Sequence, residues 1–89
     1  MLYMIVERFK PGKVKLVYER FEKKGRLMPE GLNFINSWIN EDVTTCYQVM
    51  ETNDVSKLHD WMNRWNDLVE FEVNTVITSA QAREKVLSK

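Results

Sequence analysis

Three glutamates stand in the first and last β-type runs of this 89-residue chain: Glu7 in Leu2 to Phe9, and Glu70 and Glu72 in Val69 to Ile77. Carboxylates gathered in a dry site have raised pKa values and act as acid or base near neutrality. The element order derived below makes the two runs neighbours, so Glu7, Glu70 and Glu72 are the candidate catalytic groups. The simpler arrangement pairs Arg8 with one of them across the sheet, or leaves all three at solvated strand edges. Around them stand candidate ligand-binding residues. Trp38 and Trp65, with Trp61, could wall an aromatic pocket, although aromatics at helical spacing serve most often as plain core. Tyr47 and Gln48, in a third strand-like run, offer polar handles. Arg26, in a loop, could hold the carboxylate of a ligand.

Other chemistry lacks its residues. The chain has one histidine and one cysteine, which make no zinc site, and no Gly-rich loop for a nucleotide phosphate. Neither a metal nor another cofactor is expected. Cys46 sits in a strand-like run as a small buried hydrophobe, and His59 falls to the side of its helix's apolar stripe. Thirteen basic residues balance thirteen acidic ones, without the basic excess that phosphate neutralisation demands of nucleic-acid binders. An RNA-recognition strand would carry a basic-Gly-aromatic motif; Thr44 to Met50 has one aromatic and no glycine. The first apolar run is too short for a signal peptide, and no run approaches a membrane span. A cytoplasmic protein with no membrane or nucleic-acid partner is the expectation.

The elements follow from periodicity. Leu2 to Phe9 is rich in β-formers and stops at Lys10-Pro11-Gly12, a turn signal. Val14, Val17, Tyr18 and Phe21 then trace the apolar stripe of a helix, with Gly25 placed to cap it. Leu32 to Ile39 reads as a second strand, with Phe34 and Trp38 against Ile35 and Ile39. Asn40-Glu41-Asp42 connects it to a third strand from Val43 to Glu51. Asn53 or Asp54 caps a second helix whose stripe is Leu58, Trp61, Met62 and Trp65. Val69 to Ile77 is a fourth strand, with Val69, Phe71 and Val73 opposite Glu70, Glu72 and Asn74. Ser79 caps a final helix from Ala80 to Leu87.

This order, βαββαβ plus a C-terminal helix, predicts an α+β ferredoxin-like fold over residues 1–89 as a single domain. A four-stranded antiparallel sheet then carries the helices on one face. Both alternating sets of the first two strands are apolar, whereas a solvated face should be polar. The uncovered face therefore predicts a partner, and an identical subunit is the most economical one.

The chain also resembles an uncharacterised bacterial family of the dimeric α+β barrel superfamily. The resemblance rests on Met1-Leu2-Tyr3-Met4 through Glu7-Arg8-Phe9, Gly25-Arg26 with Pro29-Glu30-Gly31-Leu32, Ser37-Trp38 and Cys46-Tyr47-Gln48. It continues through Trp61, Trp65 with Asp67-Leu68, and Phe71-Glu72-Val73. It implies a homodimer with a pocket between sheet and helices. Superfamily members include cofactor-free monooxygenases, lactone isomerases, haem-degrading enzymes and stress-response proteins, among which fold alone does not select. The haem-degrading members lead one to expect an asparagine in the first strand, where this chain has Glu7 and Arg8. The expectation is a small dimeric protein that binds or transforms a small hydrophobic or aromatic molecule without a metal. The alternative is a non-catalytic dimer that senses or scaffolds.

Overall fold

The computed structural model describes residues 1–88. Its elements run β1 (Leu2–Phe9), α1 (Val14–Lys24), β2 (Asn33–Ile39), β3 (Thr45–Glu51), α2 (Val55–Asn63), β4 (Val69–Val76) and α3 (Ser79–Leu87). The strands form one antiparallel sheet in the order β2-β3-β1-β4. This is the α+β ferredoxin-like arrangement that the periodicities predict. No helix among the described residues is long and apolar enough to cross a membrane.

Alternation along the strands divides the sheet into two unlike faces. Tyr3 and Ile5 of β1 and Met50 of β3 point to the helix side, where they pack with Leu32, Leu58, Trp61 and Trp65 into the core. Trp61 also meets the Phe71 ring of β4 edge-on at 5.3 Å. The α2 stripe is buried at Leu58 and Trp61, whereas α1 buries no residue completely. On the other face Val6 stands between Tyr47 and Glu72, and Met4 between Val49 and Asn74. Neither α1 nor α2 covers this apolar row. It ends on β2 at Trp38, which is 54% exposed.

Local chemistry sets the element ends. Gly25, at φ +67, closes α1 by donating its N–H to the Phe21 carbonyl at 2.7 Å. Asp54 caps α2 by accepting from the Ser56 N–H at 3.0 Å. Thr78, one residue before the cap expected from the sequence, starts α3 through a reciprocal capping box with Gln81. Below it α3 is almost wholly exposed, Val86 and Leu87 included.

Two strand readings are corrected. β2 carries a bulge between Phe34 and Asn36. The extra residue inverts the alternation, so Phe34 turns to the helix face while Trp38 stays on the open one. The third strand begins at Thr45 rather than Val43. Asn40 explains this: its side chain accepts from the Thr44 and Thr45 N–H groups, both at 2.9 Å, and its carbonyl accepts from the Val43 N–H. The tight turn drives Val43 to φ +57, left-handed backbone that disfavours a β-branched side chain.

Val43 is exposed, so its side chain contributes little packing against that strain. Val43→Asn is expected to raise stability by about 0.5–1 kcal/mol in chemical denaturation, because asparagine tolerates this backbone region. A loss of stability would contradict the strain assignment.

Candidate functional site

Past Ile5, β1 places its next helix-facing side chain at Glu7. That carboxyl is 5% exposed and lies opposite Cys46 of β3 and Phe71 of β4 in register. Two residues along β3, Gln48 is equally buried and its amide donates to Glu7 Oε2. The Gln48 carbonyl oxygen in turn accepts from Arg26 Nε at 3.5 Å, and Arg26 Nη2 donates to the Ser37 hydroxyl of β2 at 3.2 Å. A polar chain thus crosses three strands, from Glu7 through Gln48 to Arg26 and Ser37.

Arg26 reaches this position because its backbone is held from above. Its carbonyl accepts from both indole N–H groups, Trp61 at 3.0 Å and Trp65 at 2.9 Å. Next to it the Leu27 carbonyl accepts from Arg64 at 2.7 Å. Its guanidinium carbon lies 3.7 Å from the centre of the Phe34 ring and 5.1 Å from that of Phe21, cation–π geometry at both. α1 is drawn over the site from its other side: Arg20 forms a bidentate pair with Asp67 at 2.7 and 2.9 Å and lies over the Trp65 ring.

Between α1, α2 and the sheet these residues enclose a cavity of about 250 Å³. Its walls include Tyr18, Phe21, Trp61 and Trp65, and its polar side is made by Glu7, Cys46, Gln48, Arg26 and Ser37. Burial pushes the Glu7 carboxyl up to about 7, against the opposite pull of Gln48, Cys46 and Arg26. Burial, reinforced by the neighbouring Glu7, pushes the Cys46 thiol up to about 12.

Five of the residues singled out in the sequence therefore meet at one place: Glu7, Arg26, Gln48, Trp61 and Trp65. Four do not. Tyr47 is the strand neighbour of Gln48 and must face the other way; Trp38 pairs with Tyr47 and shares that open face. Glu70 and Glu72 alternate with Val69 and Phe71 and also point away from the helices. Glu72 is held below the usual carboxylate range by hydrogen bonds from Asn74 and Arg8, with Arg8 Nη2 at 3.1 Å. The cross-sheet pairing with Arg8 is thus realised at Glu72. His59 is exposed, as its position beside the stripe implied. Tyr18, Phe21, Ser37 and Cys46 line the cavity as well, beyond the site residues expected from the sequence. The α1 stripe and the alternation of Cys46 with Gln48 were the signals for three of them.

With this geometry in place, the chain can be compared with known proteins. The family model described as Domain of unknown function (DUF3303) matches residues 1–89. The chain belongs to that family. No curated protein matches it. Among solved structures it is similar to protein Atu4242 from Agrobacterium tumefaciens, at 12% identity and a TM-score of 0.50. That likeness covers 89% of this chain and 96% of the other. At such low identity it speaks to the fold alone.

The raised Glu7 value has a consequence for stability. Its folded-state pKa of about 7 lies above the ordinary 4.5, so the folded protein holds a proton that the unfolded chain releases. The contribution is full below the unfolded value and is lost as pH rises through 7. Glu7→Gln mimics the protonated side chain and removes the slope. Between pH 5 and pH 8 the wild-type protein is expected to lose on the order of 2 kcal/mol more stability than this variant. Parallel denaturant titrations measure the difference, and equal slopes would place Glu7 in a solvated environment.

Proposed function

We propose that this DUF3303 chain binds or transforms a small aromatic or hydrophobic molecule, without a metal, in the cavity between its sheet and helices. The observation that carries this reading is the buried Glu7 carboxyl on the polar side of an aromatic-walled cavity. Apolar concave sites take their orientation from a few convergent polar groups, and here those groups are linked by hydrogen bonds. A dry apolar cavity of roughly 150 Å³ admits benzene, so about 250 Å³ is room for one substituted ring. Tyr18, Phe21 and Trp65 offer that ring edge and face contacts.

Near neutrality Glu7 is present in both protonation states. It is therefore suited to give a proton to a bound molecule or take one from it. The Cys46 thiol, held protonated, is a poor nucleophile and serves as a neighbour of the acid. A carboxyl, a thiol, an amide and a guanidinium form a set for hydrogen bonding an organic ligand. We also place the chain in the dimeric α+β barrel superfamily, a reading supported by its βαββαβ order, its single four-stranded antiparallel sheet and the apolar row left open on one face. Its lone unpaired cysteine supports a cytoplasmic setting.

Tryptophan emission tests the binding reading. In a Trp38→Phe background the remaining indoles, Trp61 and Trp65, both line the cavity. Titration with benzoate, benzamide, trans-cinnamate and cinnamamide is expected to give saturable quenching or a spectral shift from one or more of them. Glu7→Leu, which removes the polar group from the cavity wall, is expected to weaken the response severalfold while the circular dichroism of the fold persists. A flat response to all four would leave the cavity without a ligand role.

We further propose that the protein is a homodimer joined through the open sheet face. The apolar row through Met4, Val6 and Val49, flanked by exposed Tyr47 and Trp38, supports it, as does an α3 that finds little cover within its own chain. This face is also what favours the second reading, a non-catalytic dimer that senses or scaffolds. Light scattering should report a dimer mass for the wild type, and Val6→Asp should shift it to the monomer. A wild-type monomer that persists at high concentration would remove both dimer readings.

A further inference from the structure

Arg26 stands out among the charged groups of the described residues. Arg8 is paired with Glu72, Arg20 with Asp67, and the N-terminal amine with Glu51. Arg26 lines the cavity, partly withdrawn from solvent, with no carboxylate oxygen within ion-pair distance among the described residues. The acid closest to it in the polar chain is Glu7, which it reaches only through the Gln48 amide. A cation drawn from water without a counter-charge is costly unless something compensates it.

Its hydrogen-bonding capacity is also only part used. A guanidinium has five N–H donors. One, on Nε, goes to Gln48, and one, on Nη2, goes to Ser37. The second Nη2 donor and both on Nη1 have no protein acceptor among the described residues. That leaves the Nη1–Nη2 edge, the fork that matches the two oxygens of a carboxylate. The rings of Phe34 and Phe21 lie close to the guanidinium, and the anchored Arg26 carbonyl fixes its backbone. The fork is thus organised before any ligand arrives, which lowers the entropy cost of binding.

We propose that the cavity takes a monoanionic aromatic carboxylic acid, its carboxylate lying on the free edge of the Arg26 guanidinium beside the Ser37 hydroxyl. This deepens the binding reading above and rests on it. The ring then lies among Tyr18, Phe21 and Trp65, and the carboxylate supplies the counter-charge that the protein leaves out. Burial of Glu7 supports the arrangement, since below neutral pH its neutral carboxyl does not cancel the Arg26 charge.

Isothermal titration calorimetry at pH 6 tests it with matched pairs: benzoate against benzamide, and trans-cinnamate against cinnamamide. Carboxylic acids with pKa values near ~4 remain ionised at that pH. Each acid is expected to bind at least tenfold more tightly than its amide. Arg26→Met should abolish that preference while keeping amide binding, and Ser37→Ala should reduce it severalfold with the helix content unchanged. Amides that bind as tightly as the acids would overturn the anionic-ligand proposal and leave the pocket reading in place. An acid preference that survives in Arg26→Met would overturn the role given to Arg26. Heat from none of the four would overturn this proposal together with the reading on which it rests.

Discussion

A single backbone carbonyl, that of Arg26, accepts the indole N–H groups of both Trp61, in α2, and Trp65, which lies in the turn after α2 rather than on its stripe. Tryptophans deliver large apolar area to a core but bring a donor that must be satisfied. Leaving one unsatisfied costs roughly 1–3 kcal/mol. The loop after α1 is therefore held over Trp61 and Trp65, and its backbone takes the conformations this demands. Gly25 and Leu27 both adopt positive φ, at +67 and +59, and Arg64 secures the Leu27 carbonyl. Gly25 suits that region; Leu27 does not, and it stays there because its side chain packs against the core. One consequence is spatial. The carbonyl that completes the core belongs to the residue whose guanidinium reaches the cavity, so core and site share an anchor.

Glu7 shows a tension of a different kind. A central strand flanked on both sides favours apolar inward residues, and Tyr3 and Ile5 obey that rule. Glu7 breaks it, two residues further along the same face. Its neighbours are arranged to soften the break: Gln48 donates to it, and no buried side-chain nitrogen or oxygen among the described residues lacks a partner. A local rule broken at Glu7 and supported there by Gln48, with Arg26 left only part used at the far end of the same chain, is the pattern expected of a working site rather than of core filling.

Much of this was legible in the residues. The two helical stripes, the turn at Pro11-Gly12 and the β-type runs carry the element order, because periods of 3.6 and 2 are strong signals. Glu7, Arg26, Gln48 and Trp65 were visible by residue type, as the charged, polar and aromatic groups on or beside those elements. What alternation alone could decide was that Tyr47 and Gln48 face opposite ways. Which of them turned toward the helices depended on register against β1, a tertiary quantity. Glu70 and Glu72 fell away from Glu7 by the same mechanism, since the fourth strand presents Val69 and Phe71 inward. The bulge in β2 had no sequence signal in Phe34-Ile35-Asn36, so the shared face assigned to Phe34 and Trp38 was lost. Val43, an ordinary β-former by composition, was claimed by the turn chemistry of Asn40.

That same bulge bears on how the molecule can grow. β2 is an outer strand of the sheet, and outer strands offer unpaired backbone groups on which a further strand can register. An extra residue at Ile35 breaks the even spacing of those donors and acceptors and increases the local twist. A straight extended segment arriving at this margin meets a ladder whose rungs are out of step. Lateral extension into a longer sheet is obstructed here, and a neighbour is left to meet this part of the molecule broadside, through side chains rather than through backbone.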